Sequence, residues 1–171
     1  MSLSMLARKS AGISAEKSQL VIERFEKNTS GMPVPYGSVF WSVSHKPGFV
    51  AGIAAPVSVG IDIELVKPVC PALFGKIVDH DELSLFSGCS EMDIFFRVFT
   101  AKEAVLKKTG HGLKGLSHAR IMQVADENNL TVLYRNEKYQ VENFRFENYI
   151  ASITKNMFDV QWILIKEKAY G

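Results

Sequence analysis

Asp62 and Glu64 stand two apart in Gly60-Ile-Asp-Ile-Glu64. On a strand, that spacing puts both carboxylates on one face and Ile61 and Ile63 on the other. Two acids side by side repel unless a cation lies between them. A hard divalent ion such as Mg²⁺ takes oxygen ligands of this kind, usually one or two carboxylates together with a substrate phosphate. The plainer alternative is a strand whose polar side faces water. Glu103 supplies a third acid. On a helical wheel it falls about 36° from the mean direction of Met92, Phe95, Phe96, Phe99 and Leu106, inside the stripe that faces a core. An unpaired charge is costly there. A surface i,i+4 ion pair with Lys107, worth about 0.2–0.5 kcal/mol, is the alternative; it accounts for Lys107 but not for the inward direction of Glu103. Lys102 and Lys107 flank the same stripe. His45 closes Ser42-Val-Ser-His45 just before Lys46-Pro-Gly48, a turn at which backbone amides, the Ser44 hydroxyl, the imidazole and Lys46 can meet a phosphate. A packed or solvated histidine is the alternative. His80, between Asp79 and Asp81, reads as a polar helix start, and His111 and His118 lie in a Gly-rich stretch without ligand partners.

These side chains need elements to hold them. Val39 to Ser44, Phe49 to Ala55 and Val57 to Leu65 are short runs rich in Val, Ile and aromatics, broken at Lys46-Pro-Gly48 and at Pro56. They read as a β-meander of three strands in one sheet. Residues 14–27 fit a helix from Ser14 or an alternating strand from Leu20, and Asn28 to Gly37 is a loop punctuated by Gly and Pro. Asp79 or Asp81 caps a short helix through Phe86. The apolar stripe predicts a longer helix over Glu91 to Lys108, stopped by Gly110. Ala119 to Val124, Leu130 to Arg135, Tyr139 to Phe146, Tyr149 to Thr154 and Gln161 to Lys166 alternate, which predicts a second antiparallel sheet. The expected fold class is α+β, in two lobes joined near Lys67-Pro68: residues 1–66 and residues 67–171, each a small antiparallel sheet packed on a helix.

The 171 residues are 47% apolar and 22% charged, with a formal net charge of +2. A chain of this size buries enough surface to hold a core without disulfides or structural metal. Cys70 and Cys89 have no companions at ligand spacing and fit a reducing compartment. Near-neutral charge gives no long-range field for nucleic acid. The longest uncharged stretch, Phe49 to Ile61, is 13 residues, whereas a spanning helix needs about 20. Met1 to Ala7 is too short for a signal region, and Arg8 and Lys9 follow it on the wrong side. No nucleic acid, no membrane and a cytoplasmic setting are therefore expected. No Gly-x-Ser-x-Gly, P-loop or dinucleotide glycine pattern is present.

Taken in order, Ser-Val-Ser-His45, Gly-Ile-Asp-Ile-Glu64 and Phe99-Thr-Ala-Lys-Glu-Ala-Val-Leu-Lys107 resemble the 4′-phosphopantetheinyl transferase superfamily. Its signature is an aliphatic-Gly-aliphatic-Asp-x-Glu strand followed about forty residues on by an aromatic-Ser/Thr-x-Lys-Glu-Ala-x-x-Lys helix. Here Lys102 follows Asp62 by 40 residues. Tyr149-Ile-Ala-Ser-Ile-Thr154 is similar to the closing strand of the family's second lobe.

The resemblance is to the larger pseudodimeric members and implies an α+β pseudodimer with coenzyme A between the lobes. It further implies transfer of the phosphopantetheine arm to a serine of an apo acyl or peptidyl carrier protein, with release of 3′,5′-ADP. By match of motif, Asp62, Glu64 and Glu103 would hold Mg²⁺, and Glu103 would take the serine proton. Lys102 and Lys107 would steady the phosphates, Lys107 on the leaving group. His45, with Ser44, would contact a coenzyme A phosphate. Only 41 residues precede Ser42, so the N-terminal basic clamp of larger members is missing or rebuilt; Arg8, Lys9 and Lys46 are candidates to replace its charge. Phe99 stands where the family often has Trp. Lys76, Arg97 and Lys114 are candidates for a basic carrier-docking surface, and two lobes in one chain make a monomer sufficient. The alternatives are a non-catalytic relative that binds coenzyme A or a carrier protein, and a metal-dependent phosphodiester hydrolase using the same acids.

Overall fold

The computed structural model describes residues 2–155 and 158–166. The Ser2 hydroxyl accepts from the Met5 amide and caps α1 (Leu3–Lys17). Ala7, Ala11 and Ala15 recur every four residues, so one face of α1 carries only small side chains. That face lies on the hairpin of β1 (Phe40–Lys46) and β2 (Phe49–Ala55). The approach is tight, since a Cβ on Gly52 would come within 2.4 Å of the Ala11 nitrogen. The helix-or-strand expectation for residues 14–27 is corrected. Helix α1 ends at Lys17, and residues 20–26 run without regular structure while Leu20, Ile22 and Phe25 pack on Ala15, Trp41 and Ala54. Their alternation comes from lying along an apolar surface, not from strand pairing.

The meander is corrected as well. β1 and β2 pair with each other alone, and β3 (Ile61–Leu65) joins a different sheet. Beyond β3 come α2 (Pro71–Ile77), which no sequence pattern announced, α3 (His80–Ser84), α4 (Glu91–Thr109) and a 3₁₀ turn at Leu113–His118. Then follow β4 (Ala119–Val124), β5 (Asn129–Tyr134), β6 (Glu137–Phe146) and β7 (Tyr149–Lys155). All five strands of the second sheet are antiparallel, in the order β3-β7-β6-β5-β4. β3 pairs with β7 along one edge, and toward β1 it is met by a side chain instead of a strand ladder: the Ser42 hydroxyl accepts from the Ile61 amide at 3.1 Å. The fold is α+β, with two antiparallel sheets packed against helices, and β3 carries the chain from the first sheet into the second.

Asp79 caps α3 with a reciprocal capping box to Glu82. Ser90 caps α4, whose first turn carries Glu91 and Asp93 and whose last carries Lys107 and Lys108, charges that oppose the helix dipole at each end. Gly110 ends α4 in the left-handed conformation at φ 78°, which costs glycine nothing. Val98, Ala101 and Val105 of α4 meet Leu130, Val132, Val141 and Ile150 of the sheet in the main core. Gln161 to Lys166 is not a strand. Trp162 instead stacks on Phe144, ring centroids 4.9 Å apart, and its indole N–H donates to Glu142, so this segment covers the sheet's outer face without pairing. Arg97 is buried and cannot belong to a docking surface, whereas Lys76 and Lys114 are exposed.

Where β3 begins, it touches α4 backbone to backbone. A Cβ on Gly60 would fall 1.9 Å from the Ala104 carbonyl oxygen. Gly60 is also locked to β7, its N–H donating to Thr154 Oγ1 and its carbonyl accepting from the Thr154 amide, each at 2.9 Å. With both sides fixed, an added methyl has nowhere to go. Gly60→Ala should lower the unfolding free energy by about 1–3 kcal/mol in urea titrations. Gly75→Ala, in α2 with nothing within 4 Å of the new Cβ, should raise it by about 0.5–1 kcal/mol. An unaltered Gly60→Ala protein would contradict the contact.

Candidate active site

With Gly60 against Ala104, the next residues of β3 lie beside the last two turns of α4. Asp62 is 4% exposed. Its Oδ1 accepts from Lys107 Nζ at 2.8 Å and from the Ser44 hydroxyl at 2.8 Å, so α4, β1 and β3 converge on one oxygen. The same ammonium also donates to the carbonyls of Ile61 at 3.0 Å and Val43 at 3.4 Å. Two residues along, Glu64 Oε1 lies 2.8 Å from Lys46 Nζ. β1 thus sends Ser42, Ser44 and Lys46 toward β3, as period-two alternation requires.

Glu103 completes the group. Burial lifts its carboxyl to about 7 from the ordinary 4.5, the charge of Asp62 adds to that, Lys107 opposes it and Glu64 adds a little more. Burial also raises Glu64, against the hydrogen bond from Lys46. Lys46 is pulled down by burial, yet its hydrogen bond to Glu64 and the charges of Glu64, Asp62 and Glu103 together hold it above its ordinary value. Two oxygens in the cluster, Asp62 Oδ2 and Glu103 Oε1, are buried without a hydrogen-bond partner. Orphaned carboxylate oxygens are expensive in a folded interior.

The structure therefore assembles Ser44, Lys46, Asp62, Glu64, Glu103 and Lys107. It does not bring in Lys102. That side chain leaves the other flank of α4, where Nζ lies 2.7 Å from Glu82 Oε1 and donates to the Ile77 carbonyl at 2.7 Å. Burial pushes its ammonium down in spite of Glu82. Lys102 is thus a buried strut tying α4 to α3, and the expectation that it steadies phosphates is corrected: one residue of helix is a turn of about 100°, which separates it from Glu103. His45 is exposed on the opposite face of β1 from Ser44 and Lys46. Lys107 pairs with Asp62 rather than with Glu103. A cavity of about 1340 Å³ lies on the other side of β3, lined by Ile61 and Ile63 with α1, β2 and the 158–166 segment, away from the carboxylates.

Sequence reasoning missed a polar seam beneath the cluster. Ser152 sits directly across from Asp62 on β7 and from Asn143 on β6. Its hydroxyl is 2.5 Å from Thr100 Oγ1 and accepts from Asn143 Nδ2 at 2.6 Å, while Asn143 Oδ1 accepts from Arg97 at 3.1 Å. The available signals were Thr100 one turn before Glu103 and Ser152 amid the apolar residues of β7.

Among the described residues, no three or more His, Cys, Asp or Glu side chains are arranged to hold a metal ion; the ammonium groups of Lys46 and Lys107 sit on two of the three acids instead. The donor chemistry nevertheless fits a hard divalent cation: three carboxylates, oxygen only, with two buried oxygens unpartnered.

Residues 58–154, more than half of the chain, match the 4′-phosphopantetheinyl transferase superfamily, and the chain belongs to that family. The match runs from just before Gly60 to Thr154, so it takes in β3, α4 and β7 and leaves out Ser44, His45 and Lys46. The chain is similar to 4′-phosphopantetheinyl transferase psf-1 of Bacillus pumilus, with 36% identity over 99 residues, 54% of this chain and 42% of the relative. It is also similar to L-aminoadipate-semialdehyde dehydrogenase-phosphopantetheinyl transferase of Schizosaccharomyces pombe, with 33% identity over 94 residues, 44% of this chain and 35% of the relative. The chain spans less than half the length of either.

Because Glu103 titrates near 4.5 when unfolded and near 7 when folded, the folded state holds the extra proton between those values. Its stability therefore falls as pH rises through that window. In chelator-treated buffer, Glu103→Gln should melt at a higher temperature than the parent above pH 7, and the difference should shrink as the pH drops toward 5. Melting curves that keep the same offset at every pH would contradict this.

Proposed function

We propose that this protein transfers the 4′-phosphopantetheine arm of coenzyme A to a serine hydroxyl of an apo acyl or peptidyl carrier protein, with Mg²⁺ and with release of 3′,5′-ADP. The observation that carries the reading is Glu103: a raised carboxyl with a buried, unpartnered oxygen, beside Asp62, Glu64 and the Lys107 ammonium. The family supports phosphopantetheine transfer in general, and the geometry supports this division of labour.

In the reaction, the serine oxygen forms a bond to the phosphorus that carries the pantetheine arm, and the bond from that phosphorus to the bridging oxygen of 3′,5′-ADP breaks. Glu103 takes the serine proton on its carboxylate, and a base that titrates near neutrality suits that task. Lys107 leaves Asp62 Oδ1 or shares it with a phosphate oxygen, placing positive charge where the leaving group gains negative charge. Asp62, held by Ser44, keeps β3 and β1 together while this occurs. Bound Mg²⁺, with Asp62, Glu64 and Glu103 as its protein ligands, would neutralise charge on the pyrophosphate oxygens.

The exposed Lys76 and Lys114 suit an acidic carrier. No helix among the described residues is long and apolar enough to cross a membrane. A monomer in the cytoplasm is part of the same proposal.

The test is intact mass spectrometry of apo carrier proteins incubated with this protein, coenzyme A and Mg²⁺. The expected result is a gain of one phosphopantetheine mass, slowed by roughly a hundredfold or more in Glu103→Ala. No gain on any carrier while coenzyme A still binds would overturn transfer and favour a non-catalytic binding protein.

A further inference from the structure

The two lysines of the cluster are held in different ways. Lys107 Nζ has three acceptors, the Asp62 carboxylate and the carbonyls of Ile61 and Val43. Lys46 Nζ has one among the described residues, Glu64 Oε1 at 2.8 Å. Its side chain is 36% exposed and that of Glu64 only 16%, so the stem can swing into solvent while the carboxylate stays where β3 puts it. Lys46 is also the last residue of β1, at the Pro47-Gly48 turn, where Gly48 takes φ 92°. Among the described residues Glu64 alone bonds the ammonium, with the charges of Asp62 and Glu103 adding attraction from farther off.

A half-buried carboxylate next to Asp62 and Glu103 does not give up its cation unless another arrives. A divalent cation entering the three acids meets that condition, and it also repels an ammonium at hydrogen-bond distance from one of its ligands. We propose that Lys46 is a displaceable internal counter-ion: it holds Glu64 in the metal-free protein, yields it to the divalent cation, and with its freed ammonium takes an anionic oxygen of the phosphate-bearing co-substrate. The inference rests on the acid cluster being a metal and phosphate site, as set out above.

Two consequences follow from linkage. Lys46 competes with the metal when no co-substrate is present, so removing its charge tightens metal binding. It favours the metal when co-substrate is present, so it strengthens the mutual dependence of the two ligands, and by reciprocity each raises the affinity of the other by one factor.

The experiment is Mn²⁺ titration, with free Mn²⁺ counted by electron paramagnetic resonance, on the parent, Lys46→Met, Lys46→Arg and Asp62→Asn proteins, with and without coenzyme A. Circular dichroism melts check that each is folded. Lys46→Met, which keeps the stem and loses the charge, should bind Mn²⁺ roughly three- to tenfold more tightly than the parent without coenzyme A. Lys46→Arg should stay near the parent. Coenzyme A should improve Mn²⁺ affinity by a larger factor in the parent than in Lys46→Met. Parent binding that Asp62→Asn abolishes but Lys46→Met leaves unchanged would overturn the counter-ion role alone. A parent that binds no Mn²⁺ with or without coenzyme A would overturn it together with the metal-site reading.

Discussion

Backbone contact between Gly60 and the Ala104 carbonyl governs this structure, because it fixes how near β3 comes to α4. With any larger residue at 60 the two elements would part, and Asp62 and Glu64 would no longer share a space with Glu103 and Lys107. Thr154 holds Gly60 from the β7 side with a hydrogen bond in each direction, and the Lys108 ammonium and carbonyl both bond Ser58 just before it. The start of β3 is thereby gripped from two directions, and the acids that follow inherit that rigidity.

Rigidity has an electrostatic cost here. Three carboxylates stand together, partly out of water, and among the described residues two lysines, Lys46 and Lys107, answer them. The imbalance appears as a raised Glu103 and two buried oxygens without donors. A stable fold must offset this elsewhere, and the seam formed by Thr100, Ser152, Asn143 and Arg97 lies directly beneath, every side chain buried and hydrogen-bonded. On the far flank of α4 the Lys102–Glu82 pair has both Glu82 oxygens engaged, one by the Ile121 amide as well and the other by the Asp79 amide. One helix thus carries a satisfied buried ion pair at 102 and an unsatisfied acid at 103. The contrast singles out Glu103, raised by burial and by the neighbouring acids, as the anomaly of this helix.

Much of this was legible in the sequence, and the failures have physical causes. Helix α4 was readable because its apolar stripe and its Gly110 stop agree. The acids were readable because a polar residue on an apolar face is a conspicuous anomaly, whether two apart on a strand or inside a helical stripe. The role of Lys102 was not, since a motif gives order along the chain but not the partner across it, and Glu82 lies 20 residues away. Helix α1 was hidden because its buried face is Ala7, Ala11 and Ala15, small residues that carry little hydropathy yet allow close packing on Gly52. The sheet membership of β3 was hidden because its partner β7 is distant in sequence, whereas the nearer β1 meets it through serine side chains. The run at 161–166 alternates like a strand, but only Trp162 finds a partner on the sheet.

A cation and phosphate site formed by Asp62, Glu64 and Glu103 is the proposal on which the others rest. It is tested most directly by anomalous diffraction from crystals grown with Mn²⁺ and coenzyme A. The expected result is a single Mn²⁺ peak among the carboxylates, with Lys46 moved from Glu64 onto a phosphate oxygen and Lys107 in contact with another. Coenzyme A bound elsewhere, with both ion pairs intact and no anomalous peak among the three acids, would contradict it.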